Sequence, residues 1–80
     1  MKENTYETND FSLAVTLLAL GYVIVDFNTA DPQRVFFIFE EQKGLANAVN
    51  DFWRNQIKVN PKTLFLCQKE LKARMNQFLR

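Results

Sequence analysis

The spacing of apolar residues divides the chain into six short elements. Runs of β-branched and aromatic residues predict two strands, "YVIVDFN" at 22–28 and "RVFFIFE" at 34–40, joined by the turn sequence "TADPQ". A shorter edge strand is predicted from "YET" at 6–8. Helical spacing of apolar residues predicts three helices, at about 10–20, 41–55 and 61–80. The predicted order is therefore β-α-β-β-α-α.

Capping residues indicate where two of the helices begin and end. Thr8 or Asn9 is suited to cap the first helix with a side-chain oxygen, and Gly21 is suited to end it in a left-handed conformation. Asn60 as N-cap and Pro61 as first helical residue predict the start of the last helix. The first helix is apolar on nearly all sides, so we expect other elements to cover it on more than one side.

The two long strands are apolar on both faces. We expect Phe27 to pair with Val35, because this register places six large apolar residues on one buried face: Val23, Val25, Phe27, Val35, Phe37 and Phe39. The opposite face then carries Ile24, Phe36 and Ile38. We expect these three residues to stay partly open and to form a protein interface, most simply in a homodimer, because large exposed apolar patches are unusual in soluble monomers.

The composition is that of one folded domain. The chain has 80 residues, of which 48% are hydrophobic, with two Gly and two Pro. A disordered chain would contain fewer hydrophobic residues. The length and the hydrophobic content are sufficient for one small core. We predict the α+β class: a single compact domain over residues 1–80, with a small antiparallel sheet packed against helices.

Charge is unevenly distributed along the chain. Residues 1–41 sum to −5 and residues 42–80 to +6, which predicts an acidic and a basic pole. The basic residues predicted to contact nucleic acid are Arg54, Lys58, Lys62, Lys69, Lys72 and Arg80. The alternative is an ordinary solvated surface, since lysines on the outer side of a helix are common.

Trp53 is a further candidate for a protein interface. It follows Phe52, which belongs to the apolar stripe of its helix, and so projects about 100° away from that stripe. Trp and Arg are enriched at binding hot spots, and Arg54 is the next residue. The alternative is that Trp53 covers the edge of the core.

Residues that carry catalysis or bind cofactors are scarce in the sequence. The chain has no His, which removes the commonest general base near neutral pH. Cys67 lies in the apolar stripe of the last helix and is expected to pack in the core. That stripe is Leu64, Cys67, Leu71, Met75 and Phe78. The sequence shows no clustered metal ligands and no Gly-rich phosphate loop, so we expect no catalysis, metal, cofactor or small-molecule substrate.

The sequence predicts neither export nor membrane insertion. The first ten residues lack the apolar stretch of a signal peptide, and the longest apolar run is interrupted by Gly21. A lone cysteine fits a reducing compartment. We expect a cytoplasmic protein that does not contact membranes.

Four short patterns extend over nearly the whole chain. They are an aromatic-x-Thr-x-Asp start, a Leu-Ala-rich helix that ends in Gly, an aromatic-x-Phe-acidic strand, and Val-Asn-Pro before the last helix. They fall on Tyr6, Thr8, Asp10, Leu13, Ala14, Gly21, Phe37, Phe39, Glu40, Val59, Asn60 and Pro61. Together they resemble a family of small uncharacterised domains from bacteria, archaea and their phages or mobile elements. The resemblance implies the fold above and a mobile-element context, with no activity or ligand attached.

Two functions of different classes are left open. The first is a non-enzymatic accessory protein of a phage or mobile element that contacts nucleic acid through the basic C-terminal half. The second is a protein-interaction module that inhibits or modulates a host enzyme or defence complex, for example a nucleic-acid-handling protein. It would use the second sheet face, the Trp53 edge or the acidic N-terminal half. Salt separates them, because phosphate contacts weaken steeply with salt and apolar interfaces do not.

Overall fold

The chain follows the predicted order of elements. The computed structural model describes residues 5–31 and 33–77, and the predicted positions Phe78 and Arg80 lie outside that part of the chain. The elements are β1 (Thr5–Thr8), α1 (Phe11–Ala19), β2 (Ile24–Asn28), β3 (Phe36–Glu40), α2 (Leu45–Trp53) and α3 (Pro61–Asn76). The α+β class and the order β-α-β-β-α-α are confirmed, and α2 is shorter than predicted at both ends.

The most apolar strand, β3, is the central strand of the sheet. The strand order is β1-β3-β2, and both neighbours run antiparallel to β3. Burial alternates along β3: Phe37 and Phe39 are buried, whereas Phe36 and Ile38 are partly exposed. One face of the sheet therefore supplies the core, as the alternation of side chains in a strand requires.

A β-bulge in β2 changes the predicted register. Phe27 pairs with Phe37 and not with Val35, and the two rings meet edge to face with centroids 5.9 Å apart. Ile24 pairs with Phe39, but Asp26 already pairs with Ile38. One residue between these pairs, Val25, is therefore extra in β2.

The bulge also reassigns the two faces of β2. Ile24 and Phe27 both pack against the core although they are three residues apart. Val23 and Val25 are 48% and 51% exposed. The prediction that Val23 and Val25 are buried with Phe27 is therefore wrong, and so is the placement of Ile24 on the opposite face. Strict alternation cannot continue through an inserted residue.

The first turn of α1 is capped by Asp10. Its carboxylate oxygen Oδ1 accepts a hydrogen bond from the Leu13 amide at 3.0 Å. The Thr8 hydroxyl accepts from the Asp10 amide at 3.1 Å. Neither predicted cap, Thr8 nor Asn9, therefore occupies the N-cap position, although Thr8 orients the residue that does.

Gly21 ends α1 as predicted. Its φ is +103°, and the amides of Gly21 and Tyr22 donate to the carbonyls of Leu18 and Leu17, each at 3.0 Å. This pair of bonds is the Schellman arrangement, in which a left-handed residue reverses the chain after the last helical turn. The reversal leads the chain into β2.

Helix α1 is the centre of the helical layer. It contacts both α2 and α3. Phe11 is its first residue, and the centroid of the Phe11 ring lies 6.4 Å from that of the Phe37 ring in the sheet. The fully buried large side chains of the core are Leu13, Leu17, Phe37, Phe39, Leu45 and Leu71, which come from four different elements. The expectation that the first helix is covered on several sides is confirmed.

Helix α3 begins as the sequence predicts. The Asn60 side-chain oxygen accepts from the Lys62 amide at 2.8 Å, and Pro61 is the first helical residue. The side chains that pack inward from this helix are Leu64, Cys67, Leu71 and Met75. The predicted stripe is confirmed for its described members, and Cys67 packs against the core.

Candidate nucleic-acid interface

The residues predicted to contact nucleic acid are exposed wherever the structure describes them. Arg54 is the C-cap of α2, and Lys58 lies in the connection to α3. Lys62, Lys69 and Lys72 belong to α3. Each described cation therefore presents its charge to solvent.

The sequence positions of the α3 lysines, counted from the buried residue Leu71, determine the direction in which each lysine projects. Leu71 is fully buried and marks the inner side of the helix. At about 100° per residue, Lys62 lies about 180° from Leu71, and Lys69 lies within about 20° of Lys62. Lys72 follows Leu71 directly, so it lies about 100° from Leu71, at the margin of the outer side of the helix. Lys62 and Lys69 thus form a line along the outside of α3.

Two large apolar residues lie beside these lysines and are not among the predicted interface residues. Phe65 and Leu66 are 65% and 64% exposed, the highest values among large apolar side chains of the described residues. They directly follow Leu64, which belongs to the inward stripe. A helical projection of α3 would have found them, because neither falls within that stripe.

The residues on the outside of α3 form one continuous surface. At about 100° per residue its members fall within an arc of roughly 120°. We call this surface the α3 outer face, and it consists of Lys62, Phe65, Leu66, Lys69, Lys72, Ala73 and Asn76, all exposed. Helix α3 has a net positive charge, since Glu70 is its one acidic residue. The face therefore combines cations, an aromatic ring and aliphatic surface.

A groove of about 510 Å³ lies along one side of the α3 outer face. Its lining residues are Thr63, Leu66, Cys67, Lys69, Glu70 and Ala73. Leu66, Cys67 and Ala73 supply apolar surface, while Lys69 and Glu70 supply opposite charges. The groove can therefore accept an apolar group next to a charged one.

Trp53 lies at a separate groove, at the end of α2. The side chain is 60% exposed, and its ring meets the Phe52 ring nearly perpendicularly, with centroids 4.9 Å apart. The groove has a volume of about 460 Å³ and is lined by Thr16, Phe52, Trp53, Asn55, Ile57, Val59 and Leu64. Most of the indole is accessible, so Trp53 stays a candidate interface residue.

The side of the sheet that faces away from the helices is both apolar and acidic. Phe36 and Ile38 are partly exposed there and lie outside the core cluster. Ile38 pairs with Glu7 on β1 and with Asp26 on β2, so a carboxylate flanks it on either side. We call this surface the reverse sheet face, and it consists of Thr5, Glu7, Val23, Val25, Asp26, Asn28, Phe36, Ile38 and Glu40. Ile24, predicted to lie here, packs on the core side instead.

One titratable group in the core has a shifted pKa. Burial raises the pKa of the Tyr6 phenol above its ordinary value of 10.0, and the Asp10 carboxylate adds to the increase. Tyr6 pairs with Phe39 on the inner side of β1. The shift therefore reports burial in the core and marks neither surface as a reactive site.

The described residues form neither a cluster of metal ligands nor a membrane-spanning helix. Residues 5–31 and 33–77 contain no group of three or more His, Cys, Asp or Glu side chains placed to hold a metal ion. In the same part of the chain, no helix has both the length and the apolar character needed to cross a membrane.

Comparison with known proteins identifies the family of the chain. A family model, DUF5659, described as a domain of unknown function, matches residues 3–78. No curated protein and no solved structure matches the chain. The match agrees with the resemblance to an uncharacterised domain family that the capping and core patterns indicated. Because it covers nearly the whole sequence, the chain belongs to the DUF5659 family.

Proposed function

We propose that this protein is a non-enzymatic accessory protein that binds single-stranded nucleic acid through the α3 outer face. The observation that carries the proposal is the position of Phe65, which is 65% exposed and has Lys62 and Lys69 beside it on the same side of the helix. An exposed aromatic ring between cations is the combination that proteins use to hold a single strand.

Each component of the face has a separate role in such binding. The lysines neutralise phosphates and release counterions, which supplies affinity without regard to sequence. Phe65 offers a flat ring on which a base can stack, worth about 1–3 kcal/mol per base. Lys58 lies three residues before Pro61, the first residue of α3, and Arg54 is the C-cap of α2; both are exposed and add positive charge to this half of the chain.

A single strand fits this face better than a duplex. In a duplex the bases are already stacked on one another, so no base offers a free face on which Phe65 can stack. A single strand can turn a base toward Phe65 while its backbone follows the lysines. The resemblance to small domains of phages and mobile elements supports placing this activity in an accessory protein of such an element.

Binding to labelled oligonucleotides tests the proposal. Fluorescence anisotropy is measured with a single strand and with the duplex of the same sequence. We expect tighter binding of the single strand, and we expect Phe65→Leu to weaken it by about 1–3 kcal/mol because the side chain stays apolar but loses its ring. The matched control is Trp53→Leu, which removes an exposed aromatic ring outside the α3 outer face and should leave binding unchanged. Equal binding of strand and duplex, or no effect of Phe65→Leu, contradicts the proposal.

A second candidate function is supported by a different observation. Leu66 and Trp53 are 64% and 60% exposed, and phosphate binding does not require either. Trp is enriched at interface hot spots, and exposed apolar surface marks interaction sites. The alternative is therefore a protein-interaction module that inhibits or modulates a host enzyme or defence complex. A partner captured equally well at low and moderate salt, and lost with Leu66→Ser, would favour it.

A further inference from the structure

We propose that the protein self-associates head to tail, with the α3 outer face of one copy lying on the reverse sheet face of the next. The two surfaces belong to different elements and have opposite charge. Each also exposes large apolar residues. The inference rests on this complementarity and does not depend on nucleic-acid binding.

The reverse sheet face requires a partner that is both apolar and basic. Val23 and Val25 are each about half exposed, at 48% and 51%, and Phe36 and Ile38 are partly exposed between them and β1. The charged residues of the three strands are all acidic: Glu7, Asp26 and Glu40. Glu7 accepts a hydrogen bond from Asn28, and Asp26 accepts one from the Phe27 amide. A partner surface without cations would still bury these charges without a counter-charge, which costs free energy.

The α3 outer face has the chemistry that this surface lacks. Phe65 and Leu66 supply exposed apolar area, and Lys62 and Lys69 stand beside them on the same side of the helix. Such a face can cover Phe36 and Ile38 of another copy while its lysines approach Glu7 and Asp26. Opposite charge across an interface orients the partners and excludes other arrangements.

The dimensions of the two surfaces agree. Neighbouring strands are about 4.8 Å apart, so three strands span roughly 10–14 Å. A helix with its side chains is about 10–12 Å wide. The inner face of this sheet already carries helix α1. The reverse sheet face has the width to accept one helix in the same manner.

Charge argues against the symmetric alternative, in which two reverse sheet faces pack together. That arrangement would bring Glu7, Asp26 and Glu40 of both copies into one interface with no cation from the strands. Like charges in close contact are unfavourable. A head-to-tail contact avoids this, and it leaves one free surface at each end of the assembly, so its size should grow with concentration.

A charge-reversal exchange tests the proposal. One variant carries Glu7→Lys with Asp26→Lys, and a second carries Lys62→Glu with Lys69→Glu; all four positions are exposed. Association of nuclease-treated protein is followed by sedimentation velocity over a concentration series. We expect the wild type to associate, each variant alone to lose association, and an equimolar mixture of the two variants to regain it.

Two controls separate this result from misfolding and from general charge effects. Circular dichroism should show that both variants are folded. A control variant with the same change in net charge as Glu7→Lys with Asp26→Lys carries Asp31→Lys with Glu41→Lys, at two exposed loop residues. This control should associate like the wild type.

Two outcomes overturn the proposal. The first is a wild type that stays monomeric at the highest attainable concentration. The second is association that survives Lys62→Glu with Lys69→Glu, which would indicate a symmetric contact between sheets. The nucleic-acid proposal is tested separately, because Glu7→Lys with Asp26→Lys leaves the α3 outer face intact. If both proposals hold, a bound single strand should reduce self-association.

Discussion

The Asn28 side-chain amide donates a hydrogen bond from Nδ2 to Oε2 of Glu7 at 3.5 Å, although the two residues belong to strands on opposite sides of β3. Asn28 pairs with Phe36, and Glu7 pairs with Ile38. The bond therefore crosses the central strand on the reverse sheet face. Phe36 and Ile38 are partly exposed on this face, whereas their neighbours Phe37 and Phe39 are buried in the core.

This difference predicts unequal effects of truncating adjacent phenylalanines in β3. Phe37→Ala should lower the free energy of unfolding by about 3–5 kcal/mol, because it removes a fully buried ring. Phe36→Ala, one residue away, should cost about 1 kcal/mol, since its ring is partly exposed. Urea unfolding followed by circular dichroism measures both. A loss below about 1 kcal/mol for Phe37→Ala would contradict the assignment of the core face.

Gly44 should tolerate alanine less well than Gly21. Both have positive φ, +92° and +103°, so alanine at either position costs about 1–2 kcal/mol of backbone strain. A Cβ at Gly44 would also lie 2.9 Å from the Tyr22 hydroxyl oxygen, whereas a Cβ at Gly21 meets no atom within 4 Å. Gly44→Ala should therefore be the more destabilising substitution in thermal unfolding.

A second substitution isolates the contact at Gly44. In the Tyr22→Phe background the hydroxyl is absent, so Gly44→Ala should cost about as much as Gly21→Ala. If the two glycine substitutions cost the same even with Tyr22 present, the hydroxyl moves away without penalty and this explanation fails.

The raised pKa of Tyr6 predicts a specific loss of stability in alkaline solution. Burial favours the neutral phenol in the folded state, so the folded-state pKa lies above the ordinary value of 10.0. This stabilisation is fully present below pH 10.0 and is lost as the pH rises through the folded-state pKa. Tyr6→Phe should therefore lose less stability than the wild type over that range. Parallel loss in both proteins would show that other groups cause it.

Neutralising lysines of the α3 outer face should change the salt dependence of nucleic-acid binding. Lys62→Gln and Lys69→Gln should each weaken binding to a single strand and lower the slope of log affinity against log salt by about 0.7. The control is Lys43→Gln, an exposed lysine before α2, which should change neither quantity. Unchanged slopes for both α3 variants would mean that phosphates do not contact this face.

The elements that local chemistry determines could be predicted from the sequence. Asn60 and Pro61 mark the start of α3 by a side-chain cap and a fixed φ, which depend on adjacent residues alone. Gly21 marks the end of α1 because few other residues adopt a left-handed conformation. These signals do not require knowledge of the rest of the fold.

The register of β2 and the outer surface of α3 could not be obtained in the same way. Apolar residues occupy both faces of "YVIVDFN", so several registers bury a similar area, and the apolar pattern does not mark the bulge between Ile24 and Asp26. The exposure of Phe65 and Leu66 depends on how α3 packs beside α1. The sequence contains one signal for that surface, namely apolar residues of α3 that lie outside its inward stripe.

The central position of β3 has a consequence for the handling of this protein in solution. "VFFIF" is uncharged, lacks Pro and favours extended structure, which is the composition of segments that stack into fibrils. In the native sheet both of its edges are hydrogen-bonded, and the strands left at the rim contain Glu7 on one side and a bulge beside Asp26 on the other. Detachment of β1 or β2 would leave one edge of this segment without hydrogen-bond partners. We therefore expect aggregation of this protein to begin with local opening of the sheet.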